Sequence, residues 1–192
     1  MDKDNSNLSS NSDEELMNLL QKGNTDALKL LYNRYSNGIF NFTLRYTNNR
    51  EISEDILQEV FTRIWRSSHT FDPDKGTFKT WLFTIGINLT RKEMSKKRYD
   101  YDHLDFDEIR SFDTQPERSD DNLVEKTELK DTIEKALAGL NPFLKEVVIL
   151  KYFQNLKFTE IEEMTKIPVG TLKARFHNAL GQLRKLLENQ EL

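Results

Sequence analysis

The 192-residue chain contains no cysteine. A disulfide framework and thiolate metal ligation are therefore excluded, and a reducing compartment fits. Four prolines and seven glycines are few for a chain of this length, which favours helices over the many turns of a sheet protein. No apolar run approaches the roughly 18 residues needed to span a membrane. The opening stretch MDKDNSNLSSNSDEE lacks the apolar segment of a signal peptide. Three histidines lie far apart, at His69, His103 and His177, and neither H-E-x-x-H nor G-x-x-x-x-G-K-[ST] occurs. Nothing marks an enzyme or calls for a metal or other cofactor. A soluble, cytoplasmic protein is expected.

What the chain does have is charge: 31% of residues are Asp, Glu, Lys or Arg, against 36% apolar. That balance suits small helical domains with much exposed surface. The net charge of −4 is unevenly spread. Residues 99–125 hold ten acids and two bases, a net of −8, so the remainder carries +4 by subtraction. Phe78–Arg98 has six bases and one acid, and Met164–Leu187 has five bases and no acid. Local basic faces of this kind attract phosphate whatever the total charge.

The pattern predicts an all-α protein of two small helical domains joined by an acidic linker. Residues 1–12 are expected to be disordered. Ser12 and Glu15 form a capping-box pattern that opens a helix to about Lys22. Asn24 or Thr25 caps a second helix to about Tyr46, with Leu28, Leu31, Tyr35, Ile39 and Phe42 at helical spacing. A third helix covers about 50–66, with Ser53 as a cap. Ser67–Gly76 reads as a loop, and Thr77 starts a helix to about Lys97. The first domain thus spans 13–98. Residues 99–124 read as the linker, too acidic and too poor in apolar residues to order themselves. The second domain, 125–192, carries helices at about 125–139, 142–153, 159–165 and 169–188. Pro142 suits a first helical position, and Thr159 with Glu162 reads as a cap.

A short helix, the turn Lys166-Ile167-Pro168 and a longer helix make the outline of a helix-turn-helix. On the longer helix Leu172, Phe176, Ala179, Leu180, Leu183 and Leu187 share an arc that must pack inward. Gly170, Thr171, Ala174, His177 and Asn178 lie opposite, flanked by Lys173 and Arg175. This outer surface is small, polar and positive near a helix N-terminus, which suits an anionic duplex. An ordinary solvated basic face fits the periodicity equally well.

The stretch FTEIEEMTKIPVGTLKARFHNAL resembles region 4 of the sigma-70 family, in its extracytoplasmic-function (ECF) branch. The matches are Glu160, Ile161, Pro168, Gly170, Thr171, Lys173, Arg175 and Ala179. Glu162 stands where alanine is usual, Asn178 where arginine is frequent, and Leu180 where another base is common. LNPFLKEVVILKYFQNL, at 140–156, resembles the preceding helix of that domain. The resemblance implies contact with the −35 promoter element by Thr159, Gly170, Thr171, Lys173, Ala174, Arg175, His177 and Asn178.

ISEDILQEVFTRIW, at 52–65, resembles region 2.2 through Asp55, Gln58 and Phe61. Asp55, Gln58, Glu59, Thr62 and Arg66 share a polar face edged by Phe61 and Trp65. Taken alone, that face is either solvated or a docking surface with Trp65 as anchor. The resemblance implies binding of core RNA polymerase by Asp55, Gln58, Glu59, Phe61, Thr62 and Trp65. GTFKTWLFTIGINLTRKEMSKKR, at 76–98, resembles regions 2.3 and 2.4 through Phe78, Trp81, Leu82, Ile85 and Asn88. Phe78, Trp81, Leu82, Ile85 and Leu89 share an arc that reads as core, with base stacking by Trp81 as the sharper reading. Thr80, Thr84, Asn88 and Arg91 share another face. The resemblance implies a −10 element contact through Lys79, Thr80, Thr84, Asn88 and Arg91. It also implies a pocket for a flipped base in the loop, with His69, Phe71, Asp72 and Lys75 as candidate lining; a plain surface loop fits the same residues equally well. A sigma factor is thus the implied function, with core RNA polymerase, promoter DNA and an anti-sigma factor as partners. A stand-alone helix-turn-helix regulator is the other reading. The linker of about 26 residues reaches roughly 85–90 Å when extended, enough for two domains to engage separate elements.

Overall fold

The computed structural model describes residue 8 and residues 10–102 and 132–188, all helices and their connections, with no strand among the described residues. Helix α1 (Asp13–Gln21) opens on the expected capping box: the Ser12 hydroxyl accepts the Glu15 N–H, and the Glu15 carboxylate accepts the Ser12 N–H. Asn11 and Ser12, expected in a disordered stretch, are tied down, because Arg34 donates to the Asn11 carbonyl and pairs with Asp13. Helix α2 (Thr25–Thr47) is capped by Asn24, whose side chain accepts the Asp26 N–H, and it ends where Asn48 turns left-handed. Gly38 does not break α2. A Cβ there would lie 3.3 Å from Gln154 Oε1 and 3.5 Å from Phe83, so glycine lets those groups close on the helix.

Helix α3 (Arg50–Arg66) begins at Asn49, whose side chain accepts the Ile52 N–H. Ser53, expected as the cap, is fully buried one turn in and donates to the Asn49 carbonyl. Two single 3-10 turns, Ser68–Thr70 and Pro73–Lys75, fill the next connection. Helix α4 (Phe78–Asp102) starts as predicted, with the Thr77 hydroxyl accepting the Thr80 N–H. Its backbone runs on into residues 99–102, beyond the end near Lys97 that the sequence predicts. The rest of the linker and residues 125–131 lie outside the described residues, as does His103.

Helix α5 covers 132–138. Helix α6 (Pro142–Val148) has proline in its first turn and Asn141 as cap, and it runs into a π-helical turn, Ile149–Phe153. Helix α7 (Phe158–Thr165) starts earlier than Thr159 predicts. The Glu160 carboxylate accepts the Lys157 N–H at 2.6 Å, which leaves Thr159 inside the first turn. Lys166 turns left-handed and leads into α8 (Val169–Glu188).

The two halves pack together. One core cluster joins Leu31, Ile39, Val60, Phe78, Leu82 and Ile87 of the first half to Val147, Leu150, Ile161 and Leu172 of the second. A smaller cluster holds Leu137, Leu140, Leu144, Val148 and Ala179. Every residue from Leu144 to Leu150 is buried, so α6 belongs to both clusters. Helix α4 packs against α2 and α3 and also against α7. That explains why it buries Phe83, Ile87 and Thr90 besides the predicted Phe78 and Leu82.

Candidate nucleic-acid interface

In the second half, Leu172 and Ala179 are fully buried and Phe176 meets Phe158 edge-on at 5.8 Å between ring centroids. These contacts fix the rotation of α8 and turn Gly170, Thr171, Lys173, Ala174, His177 and Asn178 outward, all exposed. Thr159 is exposed on α7 beside them in the sequence motif. Arg175 is half-buried, its guanidinium lying over the Phe143 ring at 5.3 Å. A Cβ on Gly170 would meet nothing within 4 Å. The fold itself does not require glycine there. Leu180, placed in the packing arc by the wheel, is 46% exposed, because the inward stripe passes through Ala179 and half-buried Leu183.

Glu162 has a role the sequence did not disclose. Its carboxylate reaches across the turn and accepts the Val169 N–H at 3.0 Å. It satisfies a donor at the N-terminal end of α8 that α8 cannot satisfy itself. An acid where alanine is usual was the available signal.

In the first half, Asp55 and Gln58 are exposed on α3, Thr62 is half-buried, and Glu59 pairs with Arg63. Trp65 is 56% exposed. Phe61 is instead buried under Tyr32, with ring centroids 4.8 Å apart, so it supports this face from beneath and does not line it. Tyr32, unremarked in the sequence, takes its place at the surface.

The Ser67–Gly76 connection is pinned at two points. The Gln21 side chain donates to the carbonyls of Ser68 and Phe71 at 2.9 and 3.1 Å. Phe71 is buried against Phe78 and Trp81, at 6.1 and 5.5 Å. It closes the aromatic core and cannot serve as an open pocket wall. Trp81, half-buried in the same cluster, sits with the core. His69 and Lys75 are exposed, and Lys75 holds the Asp72 carboxyl below its usual range through a hydrogen bond, helped by the Asp74 N–H.

On α4, Lys79, Thr80 and Thr84 are half-buried and Asn88 is exposed. The Thr84 hydroxyl donates to the Thr80 carbonyl. Arg91, also half-buried, is held by an acid of the second half. Its Nε and Nη2 donate to both carboxylate oxygens of Glu146 at 2.8 and 2.6 Å. Glu146 is 2% exposed. This bidentate pair raises the Arg91 value further above its ordinary one. Tyr46 beside it is pushed up to about 12, first by burial and then by the Glu146 charge. Arg45 makes a second tie between the halves, pairing with Glu134 and lying over the Phe153 ring.

An exposed helix-turn-helix joined to a second helical module defines an all-helical factor of the nucleic-acid-binding class. Residues 31–99 match the family model described as Sigma-70 region 2, and residues 130–183 match Sigma-70, region 4. The ECF RNA polymerase sigma factor SigW of Bacillus subtilis is 33% identical over 181 residues, covering 88% of this chain and 94% of that protein. The ECF RNA polymerase sigma-E factor of Haemophilus influenzae is 26% identical over 185 residues, covering 93% and 95%. Among solved structures, CnrH in complex with the cytosolic domain of CnrY has the same fold, with a TM-score of 0.69 at 21% identity, covering 93% of this chain and 99% of that one. The sigma factor RpoE of Bartonella quintana, solved with the anti-sigma factor NepR, gives 0.66 at 22% identity, covering 86% and 98%. The chain belongs to the sigma-70 family, in its ECF branch.

Proposed function

We propose that this ECF sigma factor joins core RNA polymerase in the cytoplasm, directs it to −35 and −10 promoter elements and assists melting of the DNA. In this reading α8 enters the −35 element with Gly170, Thr171, Lys173, Ala174, Arg175, His177 and Asn178. The first domain, 13–98, meets core polymerase through Asp55, Gln58, Glu59, Thr62 and Trp65, and the −10 element through α4 and the loop containing His69. An anti-sigma factor is its regulatory partner. The single observation that carries the proposal is the outward face of α8. Its small residues leave room for a groove wall, its cations meet phosphate, and its apolar face is locked by Leu172 and Ala179. A stand-alone helix-turn-helix regulator would leave the first domain without a task.

The test is transcription in vitro with purified core polymerase on a library of promoter fragments, and transcripts are expected to begin at defined positions. Lys173→Glu with Arg175→Glu is expected to abolish −35-dependent initiation while retaining co-elution with core polymerase. Asp55→Ala with Gln58→Ala is expected to lose co-elution and spare binding by the second domain. Failure to start transcripts at defined positions overturns the proposal.

A further inference from the structure

The Arg91–Glu146 pair joins a cation on the proposed −10 face to a carboxylate of the other domain. Its geometry is that of an arginine on a phosphate: two near-parallel N–H donors on two oxygens of one anion, at 2.8 and 2.6 Å. Glu146 is enclosed, its side chain 3% exposed, whereas the Arg91 side chain keeps 34% of its surface open. The asymmetry sets the direction of any exchange. Arg91 can be approached from solvent, but Glu146 cannot be left behind unpaired, because a buried carboxylate without a partner is strongly disfavoured. An incoming phosphate therefore gains Arg91 only if Glu146 returns to water, and Glu146 reaches water only if α6 leaves α4 and α2.

We infer that Glu146 stands in for a nucleic-acid phosphate at Arg91, so that packing of the second domain and binding of DNA by the first compete for one guanidinium. Glu146 thus withholds part of the −10 face, acting through Arg91 from 55 positions away. Arg45 strengthens the same packing without touching Arg91, through Glu134 and Phe153. The inference rests on the reading of Arg91 as a nucleic-acid contact, and the experiment separates the two.

The full chain is titrated with a fluorescent, randomised single-stranded DNA pool, and affinity is read by anisotropy for wild type, Glu146→Gln, Glu146→Asp, Arg91→Ala and the Glu146→Gln/Arg91→Ala double variant. Gln keeps the shape and one acceptor but removes the charge. It is expected to tighten binding by at least about fivefold, the lower range for coupled sites. Asp keeps the charge but is one methylene shorter, and is expected to fall between wild type and Gln. The gain is expected to vanish in the Arg91→Ala background, a coupling that a mere loss of packing would not produce. A second arm uses the absence of native cysteine. Gly38→Cys and Gln154→Cys, bridged by a short reducible cross-linker, hold the domains together where Gly38 meets Gln154. The bridged protein is expected to bind the pool more weakly and to recover on reduction. If Glu146→Gln binds like wild type while Arg91→Ala binds less, or if bridging changes nothing, the inference is overturned. If Arg91→Ala has no effect in either background, the reading of Arg91 as a DNA contact fails instead.

Discussion

Single residues settle questions that the sequence pattern leaves open. Gln21 is the clearest case. One amide holds two carbonyls of the loop that the family resemblance assigns to a flipped base. Gln21→Ala is expected to cost about 1–2 kcal/mol from two lost hydrogen bonds, and to reduce strand opening at the −10 element more than binding to core polymerase. Permanganate reactivity of the opened thymines, set beside co-elution with core, checks this. Lys145 is a second case. It is buried on α6, and burial lowers the value of its ammonium group, partly countered by Glu134. The folded value lies below the unfolded 10.5, so the unfolded chain holds more protons in the window between the two values. Stability contributed by this residue therefore rises with pH through that window. Thermal melts on the alkaline side, approaching pH 10.5, are expected to show that rise in wild type and to lose it in Lys145→Met. Neither Gln21 nor Lys145 was legible beforehand, since the roles of both depend on neighbours distant in sequence.

At the scale of elements, the sequence showed most of the helices and misplaced some of their ends. Apolar spacing marks α2 and α8 because each buries a repeated stripe that includes Leu31 and Ile39 in one and Leu172 and Ala179 in the other. Caps are harder to read. Ser53 and Thr159 are good capping residues by type, but α3 is capped four residues earlier by Asn49, and the N-cap of α7 is Lys157, whose N–H is taken by the Glu160 carboxylate reaching back. The helical wheel also assumes one buried face, which fails for α4 and α6 because each packs on more than one side. On α8 the elements yield two opposed expectations. Gly170→Ala is expected to stabilise the fold by up to about 1 kcal/mol, since the site is open and alanine favours helix. The same change is expected to weaken −35 binding, because in the proposed complex the methyl group would project toward the groove. Urea denaturation and electrophoretic mobility shift together check it, and unchanged DNA affinity would count against close approach at Gly170. Glu162→Ala is expected to do the reverse to stability, costing about 1 kcal/mol through the lost cap, again read from urea denaturation.

For the whole molecule, the charge map read from the sequence told more about function than about arrangement. Basic stretches at Phe78–Arg98 and Met164–Leu187 pointed to phosphate. They gave no hint that Arg91 is occupied by a carboxylate of the other half. The one available sign was Glu146 itself, an acid followed by Val147, Val148, Ile149 and Leu150, since a charge in such a run needs a partner. The partner's identity is a property of the assembled fold.

The shared helix α6 has a thermal consequence. Val147 lies in one core and Leu144 and Val148 in the other, so little more than one turn of α6 carries both sets. Loss of either core strips α6 of half its cover, so the two regions recognised separately by family comparison are expected to melt as one cooperative unit, with a single calorimetric peak.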